Sequence, residues 1–274
     1  MPIRCRLNYF FSYLFLAGFG LAGCVLSPSK TSESDLSVID RAYQFEKGSR
    51  PIKITTDTVV LDVRTFFDYQ ISRVPNAIHV DPKEFSLRKF RGEDLQDQAL
   101  KLARRLALLG VNPFSHVVVL GYGDRGNGEE GTVALSLLVL GVERIQMGSM
   151  RDFKFLATSK VSKALQNQRY WEPRVVGTIL CPAHAGEDAV FVIDVSKKAP
   201  MSSGGGWQKI AIIYKNWKEF VKKEDFSPNY GIKTTLQKDE IDALARVMIR
   251  GPQAPIVVFS MLQMGYSRVC MMDE

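Results

Sequence analysis

The chain has 274 residues, 46% hydrophobic and 24% charged, the composition of an ordinary globular protein. Its formal charge is +7, and residues 1–23 hold two arginines and no acid, so residues 24–274 carry +5. That mild excess suits an anionic membrane surface, whereas no Lys/Arg run is dense enough to suggest nucleic acid. Residues 24–274 suffice for one large or two small domains.

Met1 to Arg6 carries Arg4 and Arg6, and Tyr9 to Gly20 follows as a Phe-, Leu- and Ala-rich run. That run is too short for a stable span, which needs about 20 apolar residues. A basic start, a brief apolar core and small residues before a cut are the marks of an export signal. Leu21-Ala22-Gly23-Cys24 resembles the lipobox of bacterial lipoproteins. The resemblance implies a signal peptide over residues 1–23, cleavage before Cys24, and a membrane anchor through a lipid on that cysteine. Position 25 is Val rather than Asp, which favours the outer membrane, facing the periplasm, in a Gram-negative host. Ser27 to Ser34 is small and polar, so residues 24–47 read as a tether.

The remainder shows internal similarity. Thr58-Val-Val-Leu-Asp-Val-Arg64 has the pattern of a buried strand and recurs as Val190-Phe-Val-Ile-Asp-Val-Ser196. Asn76 to Phe85 is answered by Ile210 to Phe220. Leu95, Ala99, Leu102, Leu106 and Leu109 fall on one helical face, and Ile241, Leu244, Ala245 and Met248 are expected to do the same. Each helix is expected to lead into an apolar strand, His116 to Leu120 and Pro255 to Phe259. Leu137 to Met147 then matches Met261 to Met271. Strands alternating with amphipathic helices imply an α/β fold with parallel sheets covered on both faces.

Leu61-Asp62-Val63-Arg64, Asp68-Tyr69 and Val74-Pro75-Asn76-Ala77-Ile78 resemble, in order and spacing, the motifs of the rhodanese superfamily. Val117 to Val119, Leu140-Gly141 and Gly148-Ser149 match later positions. The tandem arrangement resembles the two-domain thiosulfate sulfurtransferases. It implies a rhodanese-like domain over residues 48–155, a connector over 156–187 and a degenerate, truncated second domain over 188–274.

Rhodanese chemistry requires a cysteine directly after the central strand, in a loop of inward-pointing N–H groups at a helix N-terminus that favours a thiolate and its persulfide. Here the first position is Gly121, followed by a glycine-rich loop to Thr132 and an expected helix over Val133 to Leu140. Nothing in that loop can carry sulfur, and Glu129 and Glu130 disfavour an anionic donor. Gly121, Gly123, Gly126 and Gly128, with Arg125 nearby, suit an anion-binding nest or, the preferred reading, a surface connection whose glycines relax the backbone. In the second half the cysteine position falls on Ser260, so the active loop and most of its helix are expected to be missing.

Two further cysteines remain. Cys181 and Cys270 could form a disulfide in an oxidising compartment or stand as two unpaired thiols. Cys181-Pro-Ala-His184 is an outside candidate for a reactive thiol, but two ligands do not make a structural zinc site, and no metal or cofactor is expected. Asp62 and Arg64 are expected to brace a neighbouring loop, His79 to pack or cap, His116 to open a strand, and Trp207 and Trp217 to pack. The resulting expectation is a membrane-anchored rhodanese-like lipoprotein, catalytically inactive, that binds an envelope protein or scaffolds an assembly. The alternative is a thiosulfate-type sulfurtransferase using a non-standard cysteine.

Overall fold

The computed structural model describes residues 52–87, 94–158, 170–175, 181, 190–196, 211–223 and 228–272. All lie in the compact unit Leu36–Glu274. The signal segment, Cys24, the tether, His184, and Trp207 with the glycines before it lie outside the described residues.

Strands β1 (Thr58–Asp62), β2 (Ile78–His79), β3 (His116–Gly121) and β4 (Arg144–Ser149) form a parallel sheet in the order β2-β1-β3-β4. Strands β5 (Val190–Asp194), β6 (Ala211–Tyr214), β7 (Arg246–Arg250) and β8 (Val269–Met271) form a second, ordered β6-β5-β7-β8. The shared order is consistent with tandem rhodanese-like domains. Val59 to Leu61 and Val117 to Leu120 are buried along their whole runs, because a parallel sheet covered on both faces has no polar side.

Among the described residues five α-helices accompany the strands: α1 (Phe66–Ile71), α2 (Asp94–Leu108), α3 (Glu129–Val139), α4 (Ile232–Lys238) and α5 (Ala254–Gln263). Helix α2 buries Ala99, Leu102 and Leu106 as its periodicity predicts. Leu95 and Leu109, at the ends of that stripe, are half-buried. Among the described residues no helix is long and apolar enough to cross a membrane.

The second half departs from the sequence expectation. Ile241, Leu244, Ala245 and Met248 do not share a helix: the helix is α4, which ends at Lys238, and Met248 is in β7. Leu244 is 69% exposed. Pro255 to Phe259, expected as a strand, belongs to α5. A short apolar run bounded by turns fits either a buried strand or a buried helix, and α5 is buried from Ile256 to Leu262. Its discriminating signal was Pro255, a residue favoured in the first helical turn. The helix expected to be missing from this half is therefore present.

Helices α3 and α5 join the halves. A Cβ added at Gly131 would lie 2.2 Å from Ile256 Cβ and 2.3 Å from Ile256 Cα, so the two helix backbones meet with no side chain between them. One continuous core holds buried residues of both sheets and both helices, from Val59 to Met271.

The described parts of the connector fasten to both halves. Trp171 Nε1 donates to the Val111 carbonyl at 3.1 Å. Cys181 donates its N–H to the Met271 carbonyl at 3.2 Å and forms a disulfide with Cys270, Cα to Cα 5.1 Å. Of the two alternatives left by the sequence, the structure takes the disulfide, and Cys181 is not a free thiol. The link closes a loop of 89 residues, which by chain entropy stabilises the fold by about 2–5 kcal/mol.

Two outcomes follow in chemical denaturation. Replacing both Cys181 and Cys270 by Ser lowers the unfolding free energy by about 2–5 kcal/mol. Gly131→Ala, which forces the α3–α5 crossing apart, costs about 1–3 kcal/mol.

Candidate functional site

The C-terminal ends of β1, β3 and β4 converge on a cleft of about 270 Å3, lined among others by Arg64, Gly121, Tyr122, Arg125, Ser149 and Lys154. Ligands of open parallel sheets bind at this end of the strands.

Its inner wall is a buried ion pair. Asp62 is fully buried, and Arg64 donates to it from Nη2 at 2.7 Å and from Nε at 3.0 Å. The Arg64 backbone N–H adds a third bond at 3.1 Å. Nη2 also donates to the Ser72 carbonyl, and His79 Nε2 bonds the Arg64 carbonyl at 2.9 Å. The pair thus ties the end of β1 to the end of α1. Asp62 and Arg64 were expected to brace a neighbouring loop, and the segment they hold is Ser72 at the end of α1.

Tyr122 makes the second link. Its hydroxyl donates to Asp68 and lies 3.1 Å from Thr65 Oγ1, while accepting from the Thr65 N–H at 3.1 Å. Tyr122 and then Thr65 hold the Asp68 carboxyl below its ordinary range. The glycine loop is therefore anchored to the N-terminus of α1.

The loop encloses an acid. Helix α3 begins at Glu129, four residues before the expected Val133, after Gly128 at φ +87°. Glu130 is thereby placed in the first turn and is fully buried. Its Oε1 accepts from the Gly123 N–H at 2.8 Å, whereas its Oε2 has no partner among the described residues. A Cβ added at Gly121 would lie 2.0 Å from Glu130 Oε1. The space for a side chain at position 121 is filled by this carboxyl. Burial pushes Glu130 up to about 7, against the opposing bond from Gly123.

The loop residues singled out as an anion nest do not converge on empty space. Gly123 donates inward to Glu130, and Gly126 donates to the Gly123 carbonyl. Asn127 donates to Glu129 Oε2 at 2.9 Å. Gly128 packs beside Ile256, and exposed Arg125 stands at the mouth of the cleft. The acceptors of this loop are the chain's own carboxylates and backbone carbonyls.

In the second half the site position is Gly251, not Ser260. Asp62 pairs in register with Leu120, just before Gly121, and Asp194 pairs with Arg250, just before Gly251. Ser260 is buried inside α5, where its hydroxyl has no partner among the described residues. The loop runs only from Gly251 to Gln253. Gly251 sits at φ +110°, and a Cβ there would lie 2.9 Å from Ser196 N. Ser196 replaces the arginine of the first motif, and the cation comes from the adjacent strand: Arg250 Nε donates to Asp194 Oδ2 at 2.7 Å. Burial alone would raise the Asp194 carboxyl, but Ser196 and Arg250 together hold it below its ordinary value.

Sequence reasoning missed the inward acid and the relocated arginine. Glu130 was read as a loop acid ahead of a helix expected from Val133, whereas the helix starts at Glu129. Arg250 was hidden because its strand was read as helix. No group of His, Cys, Asp and Glu among the described residues could hold a metal.

Residues 49–154 match the family model of the Rhodanese-like domain, so the first half carries a rhodanese-like domain. No curated protein matches the chain. Among solved structures it is similar to SseA from Escherichia coli, described as a 3-mercaptopyruvate sulfotransferase, with a TM-score of 0.59 and 14% identity over 80% of this chain and 92% of that one. A probable thiosulfate sulfurtransferase aligns with a TM-score of 0.58 and 17% identity over 81% of this chain and 93% of that one. Tum1 from Saccharomyces cerevisiae gives 0.56 and 13% over 80% and 87%. At these identities the likeness is one of fold.

Glu130 makes stability depend on pH. Its folded value, about 7, lies above the ordinary 4.5, so the folded state binds more protons than the unfolded state between those limits. Its contribution to stability is fully present below about pH 4.5 and falls by about 3 kcal/mol as pH rises through 7. Glu130→Gln, which retains an acceptor for Gly123, is expected to flatten that slope in denaturation curves measured across the window.

Proposed function

We propose that this protein is a non-catalytic rhodanese-like lipoprotein, anchored in the cell envelope through Cys24, whose folded part serves as a binding or scaffold module. The observation that carries the reading is the Glu130 carboxyl in the space a side chain at position 121 would need. A sulfur carrier there would require a thiolate and its persulfide to share that space with a buried acid. The disulfide adds support, since it consumes both cysteines of the described residues. Gly251 extends the argument to the second half, where the site position again has no thiol and no room for one.

Mature residues Arg64, Tyr122 and Gly123 then have a structural task. Arg64 neutralises Asp62, Tyr122 holds the loop to α1, and Gly123 accommodates the acid. Such a site presents a fixed loop and cleft to a partner in place of a reacting atom. The lipid anchor and periplasmic face rest on Leu21-Ala22-Gly23-Cys24 and Val25.

Sulfur transfer from thiosulfate to cyanide tests the reading. The purified protein is expected to form thiocyanate no faster than the uncatalysed background, with or without reductant. Gly121→Cys alone is expected to remain inactive, because Glu130 occupies its place. Turnover that appears on reduction and disappears in Cys181→Ser or Cys270→Ser would instead establish a sulfurtransferase working from a non-standard cysteine.

A further inference from the structure

We infer that the cleft end of the first sheet is a docking surface for an anionic lipid bilayer, with Phe66 and Phe67 entering the interface and Arg125 and Lys154 meeting headgroup phosphates. The inference rests on the membrane-anchored reading above and specifies which face of the folded part meets the membrane.

Three observations converge on that end. Phe66, Phe67 and Ile71 of α1 are 60%, 73% and 58% exposed. Exposing such side chains to water is unfavourable, and apolar groups clustered on one short helix mark an interaction surface. Phe66 is braced edge-on against His79, ring centroids 5.4 Å apart, and Thr65 caps the helix through the Asp68 N–H. The apolar group is therefore held outward by a fixed base.

The charge beside it has the complementary sign. Tyr122, bonded to Thr65 at the start of α1, also lines the cleft that Arg125 and Lys154 border. Both cations are exposed and neither has an ion pair among the described residues. Of the nearby acids, Asp124 is paired with Arg151 at 3.4 Å, while Asp68 and Glu129 keep their charge and are held by hydrogen bonds to Tyr122, Thr65 and Asn127. Aromatic groups beside unpaired cations are what an anionic interface binds.

The attachment point agrees. The described chain begins at Ile52, whose Cδ1 lies against Gly148. Gly148 pairs with Leu120 at the end of β3. Ile52, the described residue nearest in sequence to Cys24, thus lies at the cleft end of the sheet.

The test uses the full chain purified from bacteria and reconstituted in vesicles of phosphatidylcholine alone or mixed with phosphatidylglycerol. Mass spectrometry reports whether Cys24 carries lipid. Phe67→Trp provides an indole whose quenching by brominated phosphatidylcholine, in excess of the unsubstituted protein, reports insertion. Quenching is expected in the phosphatidylglycerol vesicles. Arg125→Ala and Lys154→Ala are each expected to lower the inserted fraction about fivefold, the effect of about 1 kcal/mol per cation near a charged surface. Lipid on Cys24 without quenching in either vesicle would overturn the docking surface and leave the anchor standing. Quenching without lipid would keep the surface and overturn the anchor. A blue shift that follows protein concentration in the absence of vesicles would assign the patch to a second copy and overturn the inference.

Discussion

The contact between Gly131 and Ile256 sets the position of nearly everything at the cleft. Only a glycine lets the α3 backbone come this close to α5, since a Cβ would meet Ile256 Cα at 2.3 Å. The same Ile256 side chain lies 3.2 Å from where a Cβ on Gly128 would stand. The second half therefore holds both the first turn of α3 and the residue that starts it. Once that turn is fixed, Glu130 points inward and Gly123 meets its carboxyl. A domain without its own site thus works as the platform for the loop of the other. Such dependence explains why the main core runs continuously across both sheets, with smaller clusters on the outer face of each.

Much of the first half was legible in the sequence. Its strands are uninterrupted runs of Val and Leu, and the stripe on α2 repeats at 3.6 residues, so each pattern admits one reading. The second half was less legible for a physical reason. Helix α5 is enclosed on nearly all sides, so it has no polar face and its periodicity vanishes. Ile241 to Met248 acquired a helical spacing by chance, although it spans a turn and a strand. One misread helix moved the site position from Gly251 to Ser260 and created an apparent deletion. At the site, Gly121 and the absence of a loop thiol were plain. Which acid turned inward was not, because Glu129 and Glu130 are adjacent and only the packing of α3 separates them.

The two buried aspartates show how the same electrostatic demand can be met twice. Asp62 and Asp194 each end the strand before a turn, where burial makes an unpaired carboxylate costly. In the first half the cation comes from two residues onward; in the second, Ser196 stands there and Arg250 reaches across from the neighbouring strand. The substitution is possible because β5 and β7 are parallel and in register, which places Arg250 opposite Asp194. It also consumes the end of the central strand, leaving Gly251 tight against Ser196 and the loop short.

The first loop meets a different demand, a backbone donor at Gly123 that faces a buried space. An N–H left unsatisfied inside a protein costs about 1–3 kcal/mol, and a loop shaped for an anion holds such groups together. Glu130 answers this internally by accepting from Gly123, at the cost of an oxygen with no partner. A carboxyl in that setting is partly neutral near pH 7, so it satisfies the loop without the full charge of a persulfide. Because the inner anion belongs to the chain, Arg125 has no inward task and stays at the surface. The acid that closes the reactive position thereby leaves the outer cations free for contacts beyond the cleft.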